Sequence, residues 1–472
     1  MSMKKNIAIL ILISLYGVTN LSAQIDSGKK AIEEGTILHC WCWSFKTIEK
    51  HMETIASAGF TAIQTSPANT CLVGENGGLE FMSKDGKGKW YYHYQPTDWK
   101  IGNYQLGTKS DFISMCNSAK RHNIKVIVDV VPNHTTSHVE SIEKDFINAV
   151  GGMDKMYHKY ADHTIRSFNN RKEVVLAKLS GLPDMNTENK KYQEYLLDYM
   201  NDLIECGADG FRFDTAKHIG LPDDPKDDEE SENDFWLVFT GKKSVNGKKL
   251  KSSESLFLYG EVLQEGDSRE GEYSKYLRVT ASKYGKLLRS ALKGKNLNAK
   301  GMVNFRNDAN PKLVTWIESH DTYANEGESA YMTNFSLRAG YAVIAARKDG
   351  TPLFFSRPKG PESVQFPGES KVGDEGNKEY CSEEVRALNH FRTEMKGERD
   401  QFINGKKKSV LAIKRGEKGI VIINLGTMET EEEFPISREK GTISDKAHGI
   451  QAKCDGKKLR VKIPPETIAV FY

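Results

Sequence analysis

The sequence predicts an α/β fold, a (β/α)8 barrel of the TIM type with a small domain inserted after its third strand and an antiparallel β domain at its C-terminus. Three observations carry this reading. Strand-like apolar runs alternate with helix-patterned segments between residues 36 and 396, the rhythm of a parallel sheet covered by helices. Four of these runs, Lys125–His134, Gly210–His218, Leu256–Glu261 and Leu313–Asp321, end in charged or imidazole-bearing tips. In a parallel barrel such tips converge on one face. After residue 400 the pattern changes to short strands with Gly-containing turns, which marks a separate antiparallel unit.

The elements follow in order. Residues 36–43 read as the first strand; Ser44 caps a helix running to about Ala58, and Gly59 ends it. Thr61–Ser66 is the second strand, closed by Pro67, and a Gly-rich polar loop runs from Asn69 to Lys89. Lys89–Trp99 is dense in rings, and Pro96 disfavours a helix there. Trp90, Tyr91 and Tyr94 in this stretch read as a stacking wall for sugars or as a packed loop anchor; its place beside the four tips favours the wall. A helix over 109–121 leads to the third strand, 124–131. His134 to Asp184 then breaks the rhythm, so residues 134–184 are expected to form the insert, with the barrel built from 24–133 and 185–397.

A helix over 189–205 leads to the fourth strand, and the acidic stretch 221–234 reads as a solvated loop. Strand five ends at Glu261, a sixth strand lies near 277–281, strand seven ends at Asp321 and strand eight covers 351–358. Helices are expected over 283–292, 334–347 and 382–396. Residues 398–472 read as a β-sandwich, with strands at 409–413, 419–424, 458–463 and 468–472.

Composition narrows the function. The 472 residues suffice for two or three domains. The 67 basic and 64 acidic side chains leave a net charge of +3, a balance that argues against nucleic acid or a membrane surface as the main partner. Lys4 and Lys5 precede an apolar run from Ile7 to Tyr16, and Leu21-Ser22-Ala23 offers a cleavage site before Gln24. Residues 1–23 therefore read as a secretory signal, and a soluble exported protein, extracellular or periplasmic, is expected. The seven cysteines show neither a disulfide framework nor a zinc motif. Cys40 and Cys42, on one side of the first strand, read as small buried apolar residues.

The chemistry centres on Gly210–His218. Period-2 alternation puts Arg212 and Asp214 on one face and Phe211 and Phe213 on the other. A guanidinium two residues away is expected to hold a buried carboxylate ionised, the state a nucleophile needs, although a structural ion pair has the same look. The tips pool Asp214, Glu261 and Asp321 with His134, His320 and Arg212. Three carboxylates among imidazoles and one arginine fit glycoside hydrolysis.

With these residues assembled, the chain resembles the alpha-amylase family of glycoside hydrolases. Four signatures appear in order: DVVPNH at 129–134, GFRFDTAKH at 210–218, GEV at 260–262 and ESHD at 318–321. Glu261 follows Asp214 by 47 residues, and Asp321 follows Glu261 by 60, a family-like spacing. WIESHDTYAN at 316–325, TPLFFSRP at 351–358 and TAIQTSP at 61–67 look like the secreted saccharifying members from bacilli.

The resemblance implies Asp214 as nucleophile, Glu261 as general acid/base and Asp321 as a transition-state helper whose charge helps keep Glu261 protonated. It implies that Arg212 orients Asp214, that His134, His320, Tyr94 and Gln95 meet the sugar in the cleaved subsite, and that Lys217 and His218 lie on the leaving-group side. It further implies a calcium ion between barrel and insert, held by Asn133, Asp184 and the His218 carbonyl, all hard oxygen donors. Ser319 and Leu353 stand where chloride-dependent relatives carry Asn and Arg, so no chloride site is expected. The implied activity is retaining endo-hydrolysis of α-1,4 bonds in starch and maltooligosaccharides by a monomer. A transglycosylating or exo-acting member of the family, or a glucan-binding protein without turnover, are the alternatives.

Overall fold

The computed structural model describes residues 29–85, 87–309, 312–360 and 368–472. The expected export signal and its cleavage site lie outside the described residues. Eight parallel strands close a barrel: β1 (Ile37–Cys40), β2 (Ala62–Thr65), β3 (Lys125–Val130), β4 (Gly210–Phe213), β5 (Phe257–Gly260), β6 (Arg278–Thr280), β7 (Leu313–Thr315) and β8 (Thr351–Phe355). Closure comes from β1, which pairs with both β2 and β8.

The alternation expected for β4 is present. Phe211 and Phe213 join Val126, Val128, Val130 and Leu258 in the layer between strands and helices. Ile127, Phe257, Tyr259 and Val314 fill the interior. Strands covered on both faces must be apolar on both, so a charged residue in the inward phase stands out. The register sets Asp129 opposite Arg212 and Arg212 opposite Tyr259, giving the interior one polar level near its C-terminal end.

Eight helices follow the strands: α1 (Phe45–Ser57), α2 (Lys109–Arg121), α3 (Lys190–Cys206), α4 (Phe235–Phe239), α5 (Glu270–Tyr273), α6 (Ser282–Lys293), α7 (Asn334–Ala346) and α8 (Glu383–Glu394). Their starts are set by capping side chains. Ser44 accepts from the Thr47 amide, Thr108 and Asp111 form a capping box, and Asn189 caps α3. On α1, Phe45, Ile48, Met52 and Ile55 form the buried stripe. No helix among the described residues is long and apolar enough to cross a membrane.

Several expectations needed correction. The first strand stops at Cys40, because Cys42 takes a left-handed φ of 61° and the chain turns. Cys40 therefore packs outward and Cys42 inward, not on one side; all seven cysteines are free. The 69–89 loop begins with a short strand, Asn69–Cys71, that pairs with Pro96–Asn103. Strand seven ends at Thr315, and the chain reaches Asp321 by an irregular path. The 221–234 stretch is not simply solvated. Asp224 is buried against Arg171 and Arg269, and Asp234 is buried against Lys190 and Lys243. Acidic side chains read as solvent-facing when their partners lie far away in sequence.

Between β3 and α3 the chain leaves the barrel as short helices, including Arg171–Leu176, and returns through bridges of His134 with Asp184 and Tyr157 with Met185. Beyond α8, two four-stranded antiparallel sheets pack together: β9 (Asp400–Asn404), β10 (Val410–Arg415), β11 (Gly419–Asn424) and β16 (Thr467–Phe471) in one, β12 (Thr430–Pro435), β13 (Gly441–Ser444), β14 (Gln451–Cys454) and β15 (Lys458–Ile463) in the other. A shared core of Ile420, Ile422, Phe434, Leu459, Val461 and Phe471 joins them.

Candidate active site

The C-terminal ends of the strands surround a cavity of about 650 Å³. Asp214 and Glu261 reach it from the residues just after β4 and β5, and Asp321 from the turn after β7. His134, His320, Tyr94 and Gln95 line it too, as do Trp90 and Tyr91. Lys217 and His218 close a further side. All these residues from five distant segments are thus brought together. Arg212, Asn133 and Asp184 do not line the cavity but lie behind its wall.

Arg212 organises the floor. Its Nη1 donates to both oxygens of Asp129, at 2.8 and 2.7 Å, and to Asp214 Oδ1 at 2.6 Å; its Nη2 lies 2.8 Å from Glu261 Oε1. One guanidinium therefore serves three carboxylates, Asp214 among them. Burial pushes the Asp214 carboxyl above its ordinary value, and Arg212 pulls it back. Asp129, fully buried, is pushed up to about 8 by burial against the same pull. Asp321 is pushed up to about 7, by burial and then by the charge of Glu261.

Glu261 is held at both oxygens, because Oε2 accepts from the Thr215 amide at 3.1 Å. Thr215 makes this possible by adopting a left-handed backbone, φ 48° and ψ 34°, directly after Asp214, a strained conformation for a β-branched residue.

The rings form a connected cluster. Tyr94 lies parallel to His320 at 4.9 Å between centroids, and its hydroxyl donates to Asp129 Oδ2 at 2.8 Å. Trp90 meets Tyr94, Tyr91, Trp41 and His320 edge-on and is only 3% exposed. It backs the wall more than it offers an open platform, whereas Tyr91 is half-buried.

The imidazoles are neutral: burial pushes His134 down to about 4, and His320 and His218 down to about 3. His134 Nε2 donates to the Tyr94 carbonyl at 3.1 Å, leaving Nδ1 unpartnered; His320 Nδ1 is likewise unpartnered. Gln95 accepts from the Thr136 hydroxyl at 2.9 Å.

The donors expected to hold calcium are buried. Asp184 Oδ1 is buried with no hydrogen-bond partner, an oxygen that fits a hard cation. The other Asp184 oxygen accepts from His158 Nδ1 at 2.6 Å, and His158 Nε2 donates to Glu188 at 2.6 Å. Burial opposes charge on His158, but the two carboxylates outweigh it and raise it to about 10. Among the described residues no group of three or more His, Cys, Asp and Glu could hold a metal. The expected set is one carboxylate, one amide and one carbonyl.

The sequence motifs assign no role to Asp129, Thr215 or His158. Asp129 carried a signal, a carboxylate in the inward phase of an apolar strand. The other two depend on backbone conformation and on distant partners.

A family model of the alpha amylase catalytic domain matches residues 44–334. The chain is 40% identical over 445 residues to an alpha-amylase of Butyrivibrio fibrisolvens, covering 89% of this chain and 45% of that protein. It is 34% identical over 397 residues to an alpha-amylase of Clostridium acetobutylicum, covering 84% and 48%. It thus spans about half the length of these relatives. The fold is shared with a variant of alpha-amylase I from Eisenia fetida solved with maltohexaose, at a TM-score of 0.74 and 18% identity, covering 93% of this chain and 97% of that one. On the family model and on the identity to these two relatives, the chain belongs to the alpha-amylase family of glycoside hydrolases.

Proposed function

We propose that the protein is an exported alpha-amylase that cleaves α-1,4 bonds within starch and maltooligosaccharides with retention of configuration. The observation that carries this is Arg212 touching Asp214 and Glu261 together, which keeps the two carboxyl groups on one short span, as a retaining pair requires. The Asp214 carboxylate attacks the anomeric carbon while Glu261 gives a proton to the departing glycosidic oxygen. Glu261 then takes a proton from water, whose oxygen displaces Asp214 and frees the sugar. Asp321 binds sugar hydroxyls as positive charge develops on the ring. His134 and His320 line the cavity beside the same sugar, while Lys217 and His218 meet the leaving portion. Calcium, when bound, would be held by Asn133, Asp184 and the His218 carbonyl and would pin the insert against the barrel.

A proton NMR time course on soluble starch, with viscosity followed in parallel, tests the reading. New α-anomer with a fast fall in viscosity is expected. New β-anomer would sink the covalent step. Maltose release without viscosity loss would mark an exo-acting enzyme, and longer or cyclic products a transglycosylase.

A further inference from the structure

One short helix of the inserted segment, Arg171–Leu176, holds both residues on the leaving-group side of the cavity. His218 donates from Nδ1 to the Val174 carbonyl at 2.8 Å. The Lys217 carbonyl accepts from Arg171 Nη1 at 3.0 Å. The Tyr273 hydroxyl, which accepts from Arg171 Nη2 at 2.5 Å, lies 2.9 Å from that same carbonyl and 2.7 Å from the Ile219 carbonyl. The Lys217 ammonium rests 4.6 Å above the ring of Phe168, also from the insert.

Arg171 is fixed in turn. Its Nε and Nη2 form a fork on Asp224, at 2.8 and 2.6 Å, and Asp224 also accepts from Arg269 at 2.6 Å. The Asp224 side chain is 1% exposed and that of Arg171 is 10% exposed. A planar guanidinium with every nitrogen occupied is a rigid brace. This brace joins the insert to the loops after β4 and β5, the two loops that also deliver Asp214 and Glu261.

We propose that Arg171 is a positioning residue for the leaving-group side, setting the main chain of Lys217 so that sugars beyond the scissile bond are bound in register. The proposal rests on the hydrolase reading above. It says that Arg171 matters in proportion to what the substrate places on that side. A polysaccharide segment should depend on it, and a small activated aryl leaving group should not. Misplacement of a binding group by about 1 Å costs up to about a hundredfold in rate.

The test compares Arg171→Met and Arg171→Lys with the unmodified protein on two substrates: maltoheptaose, and an aryl maltotrioside whose leaving group is a nitrophenol. For Arg171→Met, kcat/KM on maltoheptaose should fall roughly tenfold to a hundredfold, while the aryl substrate changes by less than about twofold. Arg171→Lys, which keeps the buried charge but loses the fork, should fall in between. If Arg171→Met does not fold, the same comparison is read on Arg171→Lys. Equal losses on both substrates, or no loss on either, would overturn the proposal. Failure of the unmodified protein to cleave either substrate would overturn the hydrolase reading instead.

Discussion

Arg212 lies directly opposite Asp129 in the pairing of β3 with β4, and its Nη1 holds both oxygens of that carboxylate at 2.8 and 2.7 Å. Asp129 also anchors the Tyr94 hydroxyl, so one side chain outside the cavity fixes a cavity ring and the guanidinium behind it. Asp129→Ala should destabilise the fold by about 3 kcal/mol, because it strips a buried partner from a buried charge. Asp129→Asn keeps an acceptor for Tyr94 and should cost markedly less. Denaturant titration of the two variants checks this, and equal costs would remove Asp129 from the role.

Asp214→Asn preserves shape but removes the charge of the oxygen proposed to attack. Turnover on starch should fall by about 10⁴-fold or more with the circular dichroism spectrum unchanged. Residual activity near that of the unmodified enzyme would show that another group performs the attack.

Asp321 provides a pH signature. Its folded value, raised to about 7, exceeds the ordinary 3.8. The folded state therefore keeps a proton that the unfolded chain gives up. Ionising Asp321 costs nothing below about 3.8, and the cost grows until about 7. Asp321→Asn should thus be more stable than the parent at pH 8, by about 1–2 kcal/mol given that the carboxyl faces the cavity, and should lose that advantage near pH 4. Melting temperatures at the two pH values check the sign. A loss of stability at pH 8 would contradict it.

The β-sandwich is latched to the barrel at Glu384 of α8. Its Oε1 lies 3.0 Å from His448 Nε2 and accepts from the Ile468 amide, while Arg338 of α7 donates to Oε2 at 2.6 Å. Asp445, whose Oδ2 accepts from the His448 amide, faces the same imidazole. Glu384 raises His448 above 6.5. The latch is then fully present below the ordinary histidine value and fades as pH rises through the raised one. His448→Gln should reduce stability at pH 5.5 by about 0.5–1 kcal/mol, since the imidazole is 40% exposed although Glu384 is buried, and leave it unchanged at pH 9. Thermal denaturation across that range measures it; a pH-independent difference would exclude the titration.

Chelation of calcium should lower the melting temperature and open residues 134–184 to proteolysis before the barrel. Restoration by calcium but not magnesium is expected, since the donors proposed for it sit on separate elements and suit a large, irregular coordination shell. Unchanged melting and cleavage after chelation would reject the assignment of Asn133 and Asp184.

The sequence by itself determined the barrel, the starts of helices such as α1 and α3, and the residues that the closed barrel brings to one cavity. Strand tips, capping residues such as Ser44 and Asn189, and the inward phase of Arg212 are local patterns, and local sterics and hydrogen bonds decide them. The charged strand Thr430–Pro435 escaped notice because three consecutive glutamates look solvated, yet Glu432 turns inward and accepts from Thr430 and the Lys406 amide. Only the tertiary structure decided that Arg212 is shared by three carboxylates, that Thr215 turns its amide onto Glu261, and that Arg171 braces Lys217. Those relationships join residues from separate strands and loops, and their energies depend on burial and distance, which exist only once the barrel has closed.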